Sequence, residues 1–174
     1  MKGFAWGILF TLFVVFVVFY GIIRSGYLDF RADVPPSPLE KRLAMRAMDE
    51  STDHHATVRM NPVQPTEAAL VAGARLYHGY CAGCHGDPNN MDTKFGESFN
   101  PPAPQFWMDA PDMSDYQNFY VIEHGVRWTG MPAWGKQFKE EQIWQLATLL
   151  AHIDKLPPAA DQELRKPVLT TPTP

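Results

Sequence analysis

The sequence predicts an all-α fold: a small helical domain behind one long apolar helix. Three observations carry this. A charge-free apolar run lies near the first residue, three later segments repeat apolar residues at helical spacing, and alternation of the kind that marks a strand is scarcely visible. The 174 residues leave room for about one domain by the usual ~100–200 residues per domain.

Phe4 to Ile23 is the apolar run, 20 residues without a charge. At 1.5 Å per residue it reaches ~30 Å, the thickness of the bilayer hydrocarbon core. Trp6 near one end and Tyr20 with Tyr27 near the other suit the two membrane interfaces. The run is longer than the ~7–15 apolar residues of a secretory signal, and no A-x-A-like site follows it. Residues 1–23 are therefore expected to be an uncleaved transmembrane anchor.

Residues 24–62 are expected to form a linker with a short helix. Val34 to Pro38 is proline-rich and stiff. Ser37-Pro38-Leu39-Glu40 resembles a capping box with proline at the first helical position, and Leu39, Leu43 and Ala47 follow at helical spacing, giving a helix to about Asp49. His54 and His55 then read as solvated linker residues. From Pro157 to Pro174 the chain is proline-rich and is expected to be a disordered tail.

Between them, residues 63–156 read as the domain. Thr66 caps a helix over Glu67 to Tyr80 with Leu70, Ala74 and Tyr77 inward. Ser114 caps a second, with Phe119 and Ile122, joined by Tyr120, inward and Gly125 as its stop. Glu140 to Ile153 is the third, with Ile143, Leu146, Leu150 and Ile153 at helical spacing. The connection from Asp87 to Met113 has no period, which suits so small a domain only if the chain wraps something large.

Charge narrows the function. The formal net charge is −4, and residues 63–156 hold six basic against eleven acidic groups. Nucleic acid, which needs a basic face, is not the expected partner. The acidic Asp92, Glu97, Asp109, Asp112 and Asp115 form either an ordinary solvated loop or a docking face for a basic partner. Two cysteines exclude a disulfide-rich scaffold and a four-cysteine zinc site.

Those two cysteines sit in Cys81-Ala82-Gly83-Cys84-His85. C-x-x-C-H is the pattern of covalent c-type haem attachment. Thiols one helical turn apart reach the two vinyl groups on one porphyrin edge, and the adjacent histidine aims its imidazole at the iron. A thioredoxin-like pair would expect a βαβ context, and zinc would need further ligands at suitable spacing. Methionine is one choice for the second axial ligand and raises the potential. Of eight methionines, Met131 stands out, because Gly130 and Pro132 hold it in a loop between the second and third helices. His124, at a helix end before Gly125, is the next candidate.

With these residues in place, the chain resembles the class I cytochromes c, in particular the membrane-anchored monohaem proteins of bacterial respiratory chains. The resemblance covers about residues 65–156. Besides CAGCH it rests on Gly73 and Tyr77 on the first helix, on Glu141-Gln142-Ile143-Trp144 opening the last, and on Phe119 to Val126 followed by Gly130-Met131-Pro132. Leu149 stands where the family usually has an aromatic. The resemblance implies the class I cytochrome c fold, three main helices around one covalent haem c. Cys81 and Cys84 would be its thioether sites and His85 and Met131 the iron ligands, with a carbonyl of Pro101, Pro102 or Pro104 holding the His85 imidazole. It also implies a haem domain on the periplasmic side of the bacterial inner membrane.

The expected activity is one-electron carriage between periplasm-facing respiratory partners, not catalysis. The alternative is a haem subunit of a larger assembly, such as a quinol-oxidising complex, a terminal oxidase or a periplasmic dehydrogenase. A haem catalyst or gas sensor would need an open iron position, which Met131 would fill.

Overall fold

The computed structural model describes residues 2–167 and divides the chain into two units, residues 1–32 and 33–174. The first unit is essentially one helix, α1 (Lys2–Arg24), whose apolar side chains from Phe4 to Ile23 are exposed to the surroundings. Within Gly3–Arg24 an 18-residue window has a mean hydropathy of 2.5, and the helix is long and apolar enough to cross a membrane, a test a signal sequence near the N-terminus also passes.

The second unit is wholly helical apart from one isolated bridge between Asp87 and Asn90. Its core lies between α3 (Glu67–Tyr80), α6 (Asp115–His124) and α7 (Glu140–Leu150). Each starts where capping chemistry places it. The Thr66 hydroxyl accepts from the Ala69 amide at 3.2 Å. Gln117 and Gln142 reach back to the amides of Ser114 and Lys139, both at 2.9 Å. Gly125, at φ +66°, ends α6 in the left-handed region that favours glycine. Leu70, Ala74, Tyr77, Phe119, Ile122, Ile143, Trp144, Leu146 and Leu149 are all buried. The third helix ends at Leu150, a turn before the expected Ile153, although Ile153 is still buried.

Two segments differ from expectation. The proline-rich tail is not loose from Pro157: Pro158–Leu164 is a helix, α8, that packs along α3. Pro158 sits at its first position, where the missing amide hydrogen costs nothing. Ala160 and Leu164 are fully buried, and Glu163 bridges Arg75 at 3.0 Å and Lys166 at 2.6 Å. Residues 168–174 of the expected tail lie outside the described residues.

The linker helix, α2 (Pro38–His55), has the predicted Ser37–Glu40 capping box but runs past Asp49 by more than a turn. Its far end touches α6: Thr52 and Ala56 are buried, and Gln117 Nε2 donates to Asp53 Oδ1 at 2.6 Å. The residues after it are tied down as well. The Arg59 guanidinium lies 4.4 Å from the Phe119 ring centroid and pairs with Glu140 at 3.1 Å. Asn61 Nδ2 reaches Asp115 Oδ2 and Thr148 Oγ1, each at 2.8 Å. Thr52, Asp53, Ala56, Arg59 and Asn61 thus tie the end of the linker to the domain, while Val58 and Met60 between them stay exposed. His54 and His55 occupy the last turn of α2 and are exposed, their rings edge-on at 4.8 Å.

Candidate functional site

The C-x-x-C-H segment forms where α3 ends. The Cys81 amide closes the last turn of α3 on the Tyr77 carbonyl, and residues Ala82–His85 wind one further turn, α4, whose His85 amide donates to the Cys81 carbonyl at 2.9 Å. Gly86, at φ +80°, breaks it off. The turn places Cys81, Cys84 and His85 on consecutive steps of one helical coil. Both cysteines are free thiols. Burial pushes the Cys81 thiol up to about 12 and raises Cys84 as well, so neither has the lowered pKa of a dithiol redox pair.

His85 is held from two sides. Its Nδ1 is 2.8 Å from the Pro104 carbonyl oxygen, which can only accept, so the proton sits on Nδ1 and Nε2 keeps its lone pair. Of the three prolines the sequence offered, the structure selects Pro104. The imidazole also stacks on Phe106, 3° from parallel with centroids 4.5 Å apart. Burial lowers the His85 pKa and keeps the ring neutral at pH 7.

Polar side chains that sequence reading missed cover the carbonyls of the same turn. Thr93 Oγ1 and Gln105 Nε2 both donate to the Cys84 oxygen at 2.9 Å, and Gln105 Oε1 accepts from the Thr93 amide. The Tyr77 hydroxyl reaches the His85 and Gly86 oxygens at 3.2 and 2.9 Å. The only hint in the sequence was the position of Gln105, directly after Pro104. A side chain on Gly96, in the short helix α5 (Lys94–Glu97), would overlap the Cys84 carbonyl, which explains glycine there.

Met131 lies in the α6–α7 connection, half-buried and packed against the core. The Val126 amide donates to its carbonyl at 3.1 Å, and its own amide donates to Thr129 Oγ1 at 3.1 Å. The Trp134 and Gly135 amides close the loop onto the Ile122 and Glu123 carbonyls, both at 3.0 Å. An aromatic cluster joins this loop to the cysteine turn. Tyr80, the residue before Cys81, meets Trp134 and Phe138 edge-on at 5.6 and 5.1 Å, and those two stack at 5.0 Å. His124, the other candidate ligand, has a 54% exposed side chain engaged by Glu123 at 3.3 Å.

The donor set suits a covalent haem. Two free thiols stand one turn apart beside an imidazole with a free Nε2. Trp107 Nε1 is a buried donor without a hydrogen-bond partner among the described residues, and such an orphan costs about 1–3 kcal/mol unless a bound group meets it. Among those residues no group of three or more His, Cys, Asp or Glu side chains is placed to hold a metal ion.

Residues 68–150 match the family model described as cytochrome c oxidase, cbb3-type, subunit III. This stretch is a cytochrome c haem domain of that type. Cytochrome c domains carry electrons through covalent haem c, and the two cysteines that such attachment requires are present. Among solved structures, a chain of the reducing HAO-like protein complex of Kuenenia stuttgartiensis is similar at 22% identity and a TM-score of 0.43, over 51% of this chain and 45% of that one. The present chain therefore spans less than half the length of that protein.

Proposed function

We propose that the cytochrome c domain carries single electrons between respiratory partners on the periplasmic side of the bacterial inner membrane, with α1 as its anchor. Cys81 and Cys84 would hold the haem through thioethers, and His85 and Met131 would hold its iron. The observation that carries this reading is the 2.8 Å contact of His85 Nδ1 with the Pro104 carbonyl. It fixes the tautomer and the ring plane of a ligand whose Nε2 must face a metal. When bound, haem supplies a one-electron iron couple; the chain holds it, keeps water from it and sets its potential. Met131 supplies a thioether, which favours the reduced state. The exposed, Glu123-bound His124 supports Met131 over it.

An anchored domain would meet its membrane partners at raised effective concentration. A second reading, that the domain is a standing subunit of a larger complex such as a terminal oxidase, is favoured by the match to an oxidase subunit family. Purification in mild detergent separates the two: a stoichiometric partner set that survives gel filtration favours the subunit, and a monomeric haem protein favours the carrier. Intact-mass measurement tests the attachment. The haem mass should persist through denaturation, and a Cys81→Ala, Cys84→Ala double variant should release it; covalent haem retained by that variant would sink the assignment.

A further inference from the structure

The family match begins at residue 68, yet side chains ahead of it reach the seam between α6 and α7. Those two helices carry the connection that holds Met131, and they meet through Phe119 and Trp144, whose ring centroids are 4.2 Å apart. The Arg59 guanidinium covers both rings, 4.4 Å from Phe119 and 5.2 Å from Trp144, and pairs with Glu140 at 3.1 Å. The same Glu140 oxygen accepts from Trp144 Nε1 at 3.4 Å. One cation thus touches the middle of α6, the first residue of α7 and the aromatic contact between them.

Asn61 joins the same two helices by hydrogen bonds. Its Nδ2 donates to Asp115 Oδ2, on the first residue of α6, and to Thr148 Oγ1 on α7, each at 2.8 Å. Its Oδ1 accepts from the Val63 amide at 2.9 Å, so the whole side chain is used. Thr148 is buried, and its hydroxyl passes its own proton to the Trp144 carbonyl at 2.8 Å. Hydrogen bonds fix distance and direction, whereas the apolar contact beside them is non-directional.

The connection itself is bonded back to α6. The Trp134 and Gly135 amides close on the Ile122 and Glu123 carbonyls, and the Val126 amide closes on the Met131 carbonyl. Its other end runs through Lys139 into Glu140, the residue that Arg59 grips. The separation of α6 from α7 therefore sets the span across which Met131 is held.

We propose that Arg59 and Asn61 are positioning residues for Met131: they clamp α6 to α7, fix the span of the connection and so keep the thioether in place as an axial ligand. This rests on Met131 being that ligand. A ligand is held only as firmly as the groups behind it, and here those groups come from the linker, ahead of the matched stretch.

Carbon monoxide is the probe, because it binds ferrous haem iron only where an axial position has been vacated. In the full-length holoprotein, in non-ionic detergent, R59Q and N61A should each bind it faster than the wild type. The double variant should be roughly tenfold faster, with a weaker far-red band and a lower potential. Amide exchange at Trp134 and Gly135 should quicken in the same variants, while the amides of α8 keep their wild-type rates. Arg59 has a 44% exposed side chain, so R59Q removes one arm of the clamp without opening the core. Leu164→Ala is the control for stability alone. Leu164 is buried on α8, which packs along α3, so this variant should weaken the fold and leave the carbon monoxide rate, band and potential unchanged.

Clamp variants that lose stability yet keep the wild-type carbon monoxide rate and band would make Arg59 and Asn61 packing residues and overturn the proposal. Equal acceleration in Leu164→Ala would overturn it too, since lost stability would then explain the effect. Met131→Ala separates the proposal from the reading beneath it. That variant should bind carbon monoxide fastest of all, and a wild-type rate there would remove the ligand reading, and the proposal with it.

Discussion

The backbones of α3 and α7 meet at Gly73 and Gln145, where a Cβ on Gly73 would stand 2.5 Å from the Gln145 carbonyl oxygen and 3.1 Å from the Leu149 Cβ. Helices in contact at their backbones lock the crossing that holds the cysteine turn at the end of α3. Leu149, in place of the aromatic expected from the resemblance, is fully buried in this crossing.

Gly73→Ala should therefore destabilise the domain by about 1–3 kcal/mol, the usual cost of overpacking. The opposing atom is a backbone oxygen that cannot swing aside. Chemical denaturation of the holoprotein measures it, and a change below about 0.5 kcal/mol would show that the helices part at little cost.

Leu164→Ala tests the helix that replaces the expected loose tail. Leu164 is fully buried against the core, so truncation should cost about 2–5 kcal/mol. An unchanged denaturation midpoint would mean that α8 is not packed in solution.

The ion pairs of α8 carry a pH dependence. Arg75 and Lys166 hold the Glu163 carboxyl below its usual value of 4.5. A carboxyl depressed on folding adds stability above its unfolded pKa and loses it as pH falls through the folded one. The stability gap between the wild type and Glu163→Gln should thus be present at pH 7 and shrink below about pH 4.5. A gap that widens in acid would contradict the pairing.

What could be read from the residues follows from how they signal. Caps and periods placed α3 and α6 because Thr66, Ser114 and Gly125 act on their immediate neighbours. The cysteine turn was legible because its chemistry is local to five residues. α8 was hidden because Pro157-Pro158 reads as a breaker, and a seven-residue helix with two fully buried side chains shows almost no period. Asn61, Thr93 and Gln105 act through a few polar contacts to residues 9 to 87 positions away, which no spacing announces. For the same reason the end of α2 looked like a tether, although Asp53 and Thr52 pack on α6.

The most direct test of the central claim is the oxidised spectrum and reduction potential of Met131→Ala beside His124→Ala. Ferric haem with a methionine sulfur ligand shows a weak far-red absorption band, and the thioether raises the potential. Met131→Ala should abolish the band and lower the potential, while His124→Ala leaves both in place. A Met131→Ala protein that keeps the band and the wild-type potential would contradict the account.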